Sequence, residues 1–144
     1  MNRIILLIYI GILIYASIVD YRTFIVKNHV HVVIMLLTLS KLKESNLFFM
    51  LLQGLMLTIP FLYLAIKTNQ LGGGDIKFIF ANALILGGIK SYYGIIIGLV
   101  ICIGVWGVKK ALRIKGKTNK IPLIPYLSIG YIIILFIYDW AIIT

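Results

Sequence analysis

Charge is absent from four long stretches of this chain, residues 4–19, 47–66, 92–108 and 121–137, each built mostly from Ile, Leu, Val, Phe and Tyr. A helix needs ~20 apolar residues, within a range of roughly 17–25, to cross the hydrocarbon of a bilayer. The four runs fall at or near that length, and two shorter ones, 29–40 and 76–90, lie between them. Lys77 sits at the start of the second short run, so these two are the weak members, candidates for tilted or partly exposed helices. The pattern predicts an all-α, polytopic membrane helix bundle folded as a single domain over residues 1–144. Its spans are expected at about 4–19, 29–40, 47–66, 76–90, 92–108 and 121–142.

Composition agrees. Of 144 residues 62% are hydrophobic and 12% charged, with a mean hydropathy of +1.08. Soluble domains carry about a quarter charged residues, so this chain lacks the polarity to cover a globule. A net charge of +10 raises the question of nucleic acid, but the 14 Lys and Arg sit almost entirely between the apolar runs. That is how a membrane protein sets its orientation, and the expected partner is the lipid bilayer, not a nucleic acid. With six spans the N-terminal side holds Arg3, Lys41, Lys43 and Lys90, and the opposite side holds the other ten cations. Six of those ten lie in the polar segment 109–120, KKALRIKGKTNK. The second face is therefore expected in the cytoplasm and both termini outside; a second span that failed to cross would reverse the earlier loops. Residues 4–19 are read as a retained helix and not a cleaved signal peptide, since no clear A-x-A site follows. Cys102, the lone cysteine, lies in an apolar run and reads as packing.

Only four acids are present. Glu44 lies among loop lysines and Asp139 beside Trp140, positions that solvent and an interface explain. Asp20 follows directly on an uncharged run and Asp75 precedes a largely apolar one. Carboxylates at membrane depth are costly and face a bundle interior or a wet cavity. In the six-span arrangement both fall on the cytoplasmic side at similar depth. Two carboxyl groups brought together share a proton. One can then take a proton from water while the other hydrogen-bonds a peptide carbonyl, with no metal or nucleophilic side chain required. His29 and His31 point to different helix faces and lack a third ligand, so no metal is expected. Around Asp75 the chain reads Leu71-Gly72-Gly73-Gly74-Asp75-Ile76-Lys77. The glycines permit unusual dihedrals and close backbone approach; equally, they fit a tight turn with Asp75 as a helix N-cap. No Gly-Lys-Ser/Thr follows, so a phosphate loop is excluded.

These segments resemble the type IV prepilin peptidases. Gly72-Gly73-Gly74-Asp75-Ile76-Lys77 is similar to the family's GxGD signature with its lysine two positions on. Asp20-Tyr21-Arg22-Thr23, with Val26 and Asn28, resembles the first aspartate motif and departs from it at Lys27, where proline is usual. Ile121-Pro122-Leu123-Ile124-Pro125 resembles the paired prolines before the last helix. The resemblance implies Asp20 and Asp75 as a catalytic dyad. It gives Arg22, Asn28, Gly72, Gly73, Gly74 and Lys77 substrate-binding or orienting roles, and makes prepilin-like proteins with a short basic leader the substrates. Longer relatives carry a cysteine-containing segment and a methyltransferase activity. This chain resembles the short, peptidase-only forms, so no cofactor, zinc or methyl transfer is expected.

Two other readings stay open on the sequence. One is a different GxGD protease, of the preflagellin or signal-peptide-peptidase kind, although the latter has Tyr-Asp where this chain has Asp20-Tyr21. The other is a non-enzymatic transporter or assembly subunit in which Asp20 and Asp75 carry protons or pair with Arg22 and Lys77.

Overall fold

A computed structural model describes residues 3–41, 46–69, 71–112 and 121–140. Glu44, Arg113 and the rest of the basic segment through Lys120, and the end of the sixth expected span, lie outside them. The described residues form six helices and no strand: α1 (Arg3–Thr23), α2 (Asn28–Thr38, continued by a 3-10 turn at Leu39–Lys41), α3 (Leu47–Thr68), α4 (Gly73–Leu86), α5 (Gly88–Ala111) and α6 (Ile124–Trp140).

The expected spans all become helices, with shifted ends. α1, α3 and α5 are long and apolar enough to cross a bilayer. α2 has 11 residues, α4 14 and α6 17. At 1.5 Å per residue they reach ~16–26 Å, short of a ~30 Å hydrocarbon core. α1 runs past residue 19 and takes Asp20 into its last turns. α4 begins at the glycines and ends earlier than residue 90, because Gly87 adopts φ +85°, a conformation that strains any other residue. α5 restarts at once, and the Gln53 side chain accepts from the Gly88 amide at 2.9 Å to cap it.

Helices consecutive in the chain run antiparallel. Gly94 of α5 meets Tyr131 of α6 while Gly98 meets Leu127, and Gly54 of α3 meets Phe80 and Leu84 of α4. One end of the bundle thus gathers the C-termini of α1, α3 and α5 with the N-termini of α2, α4 and α6. That end carries Arg22, Lys27, Lys67, Lys77, Lys109 and Lys110. Lys67 lies over the Tyr63 ring and Lys110 over Trp106, at 5.8 and 4.8 Å, the pairing of cation and aromatic that marks a membrane boundary.

α4 is the central element. Phe78, Ile79 and Ala81 through Leu86 are buried in it, and the small Ala81, Asn82 and Ala83 let neighbours approach. Asn82, wholly buried, donates to the Phe78 carbonyl, accepts from the Tyr9 hydroxyl of α1, and offers its own carbonyl to Ser91 of α5 at 3.0 Å. In an apolar surrounding each of the two interhelical bonds, to Tyr9 and to Ser91, is worth ~0.6–2 kcal/mol to helix association. Large apolar side chains of α3 (Leu55, Met56, Ile59, Leu62) point outward, as a lipid-facing surface requires.

α5 and α6 touch backbone to backbone through Gly94, Gly98 and Gly130. A methyl group on Gly130 collides with the Gly94 carbonyl and comes within 2.7 Å of the Gly98 nitrogen, neither of which can step aside. Gly130→Ala is therefore expected to cost about 1–3 kcal/mol, read as a lowered Tm in detergent. Gly104→Ala, where nothing lies within 4 Å, leaves Tm unchanged. Equal melting of the two variants contradicts the close crossing.

Candidate active site

The last turns of α1 hold Asp20, 4% exposed. The helix stops just beyond. Thr23 Oγ1 bonds the Val19 carbonyl at 2.8 Å and the Ile25 carbonyl at 2.9 Å, Phe24 turns left-handed at φ 53°, and its amide closes on the Asp20 carbonyl. Residues 25–27 are non-helical, with Lys27 extended, and Asn28 opens α2. Lys27 takes φ −68°, close to the −65° that proline fixes. The turn thus forms at Lys27 without the proline.

On the facing side Gly72 is the N-cap of α4, and Asp75 is its third residue, inside the helix and not its cap. None of the three glycines uses positive φ. A Cβ on Gly74 would make only ordinary contact with buried Val26, at 3.8 Å, and one on Gly73 would meet nothing. At Gly72 the missing side chain leaves room for the Asp75 carboxyl, which a Cβ there would approach to 3.3 Å.

Between them lies a cavity of about 260 Å³, lined by Asp20, Phe24, Ile25, Val26, Asn28, Gly72, Gly73, Gly74, Asp75 and Lys77. Lys77 Nζ donates to Asn28 Oδ1 at 3.3 Å and ties α4 to α2. Asp20 Oδ2 accepts from the amide of Ile124, the first residue of α6, at 3.2 Å. Of the residues singled out from the sequence, seven line this one cavity; Arg22, in the last turn of α1, is exposed and does not. The sequence reading missed the Ile124 amide and the Phe24–Val26 wall. The amide leaves no mark in residue type, although the flanking Pro122 and Pro125 point to an ordered helix start.

Asp75 stands at the polar end of α4, ahead of its apolar stretch. Burial pushes its carboxyl up to about 6, the Asp20 carboxylate adds to the rise, and the Gly72 amide opposes it. The site offers two carboxyls, one ammonium and one amide, a set suited to proton transfer. Among the described residues no three His, Cys, Asp or Glu side chains cluster as metal ligands.

An α-helical membrane bundle with a paired-carboxyl cavity at one end defines a class of membrane-embedded proteins in which acids do their work at the bilayer edge. This chain belongs to the type IV leader peptidase family, whose family model matches residues 7–108, a stretch that includes both aspartates. Membership makes it a membrane peptidase of the leader-peptidase kind. No curated protein and no solved structure matches the chain.

An acid whose pKa is higher in the folded state favours folding less once it ionises. Stability is therefore lost as pH rises from the ordinary value of 3.8 through about 6. Asp75→Asn removes that loss. The variant is expected to melt above the wild type at neutral pH, by at most about 3 kcal/mol, and to converge with it below about pH 4. A wild-type Tm that is flat between pH 4 and 7 contradicts this.

Proposed function

We propose that the protein is a membrane aspartic endopeptidase that removes the short basic leader from prepilin-like proteins at the cytoplasmic face. One observation carries the reading: Asp20 and Asp75, far apart in sequence, border a single cavity where three helices begin and α1 ends. With one proton between them, one carboxylate takes a proton from water as its oxygen attacks the scissile carbonyl. The partner hands its proton to the carbonyl oxygen. Collapse of the tetrahedral diol breaks the C–N bond, the amine leaves with the proton taken from water, and a hydroxyl of the diol returns a proton to the partner carboxylate.

Several features support the placement. The site lies at the bundle end richest in Lys and Arg, which the positive-inside rule assigns to the cytoplasm. The non-helical stretch at Ile25 and Val26 and the glycine edge at Gly72–Gly74 leave room for a substrate in extended form. The apolar outer faces of the bundle let the substrate's own hydrophobic helix stay in lipid.

The test is cleavage in liposomes of a prepilin-like peptide with a basic leader. Wild type is expected to cut it, and Asp20→Asn and Asp75→Asn each to slow cutting by about 10²–10⁴-fold or more. Full cleavage by either variant removes the dyad.

A further inference from the structure

We infer that the backbone amide of Ile124, at the start of α6, holds Asp20 as the ionised, water-activating member of the pair and leaves the shared proton on Asp75. This rests on the peptidase reading above and adds a division of labour to it.

An amide N–H can only donate. Burial works against an ionised Asp20, and the donor at 3.2 Å from Oδ2 opposes that by favouring the charged carboxylate over the acid. The donor opens a 17-residue helix, whose N-terminus carries roughly half a positive charge; Asp75, in the first turn of α4, has a like field from its own helix, so the direct hydrogen bond is what sets the two acids apart. The local sequence isolates it: Pro122 and Pro125 have no N–H, so of residues 122–125 only Leu123 and Ile124 can donate. Ile124 is the one that reaches Asp20. The Gly72 amide of its own helix also draws on Asp75, but no hydrogen bond from another helix reaches the Asp75 carboxyl among the described residues.

Other groups around Asp20 do not favour the reverse assignment. From α4 come Asp75 and Lys77, and the Lys77 ammonium is already engaged by Asn28. α1 and its linker supply Tyr21, Arg22 and Lys27, none of which lines the cavity. α6 offers the Tyr126 hydroxyl. His29 packs against Tyr15 and His31 against Phe78, and neither lines the cavity. The steps then balance. Water loses a proton to Asp20 as its oxygen bonds the carbonyl carbon, and Asp75 protonates the carbonyl oxygen. On collapse Asp20 protonates the departing amine as the C–N bond breaks, and a hydroxyl of the diol returns a proton to Asp75.

Ile124→Pro tests this, because it deletes the N–H at a first helical position, where proline is tolerated. Ile124→Ala keeps the amide and shortens the same buried side chain. In single-turnover cleavage the acid limb of the pH–rate profile reports protonation of the base, and the alkaline limb reports loss of the acid's proton. Ile124→Pro is expected to move the acid limb up by roughly one pH unit and leave the alkaline limb in place, whereas Ile124→Ala moves neither. If Ile124→Pro does not fold, an amide-to-ester substitution at 124 removes the same donor and keeps the side chain. An acid limb that matches Ile124→Ala, or a shift of the alkaline limb instead, overturns the assignment while the peptidase reading stands. Absence of cleavage by wild type, or full cleavage by Asp20→Asn, sinks the peptidase reading itself.

Discussion

A carboxylate set among apolar helices is expensive unless something donates to it. For Asp20 that something is the start of α6, whose Ile124 amide reaches across to the end of α1. Much of the site's geometry follows from this contact. It fixes the depth of Asp20 and orders the proline-bounded entry to α6. It also sets one wall of the end at which Asp75 arrives from α4. α6 is held as that anchor where it lies hard against α5: Gly94 makes room for the Tyr131 ring, and Gly98 and Gly130 bring the two backbones together.

Asp75 is placed by a different means. α4 threads through the middle of the bundle, pinned by the Asn82 network to α1 and α5 and by Lys77 to the start of α2. Its N-terminus lies beside the linker that follows α1, with Gly74 next to Val26. Aliphatic packing supplies the bulk of the core; a few polar contacts decide its register. In a lipid-facing bundle this is expected, since apolar contact with a helix and with an acyl chain differ little and hydrogen bonds set the arrangement.

Much of this was legible in the sequence. Uncharged runs marked the helices, and the cost of an acid at membrane depth separated Asp20 and Asp75 from Glu44 and Asp139. Seven of the eight residues drawn from the motifs do line one cavity. The helix ends were less legible, because hydropathy does not distinguish a helix that stops at Gly87 from one that runs on to Lys90. Asp75 reads as well as a cap as an interior residue until the helix start is seen at Gly72. The Ile124 contact was out of reach altogether: a backbone amide carries no residue signature, and 104 positions separate it from its acceptor.

Bridging positions 20 and 75 measures most directly whether the two acids meet. In a Cys102→Ser background, Asp20→Cys and Asp75→Cys are combined and the membranes treated with a short bismaleimide, which alkylates two thiols. The expected result is an intramolecular bridge, formed in high yield before any substrate is added. The contradicting result is a protein in which both thiols react singly with a monofunctional reagent and yet are never joined.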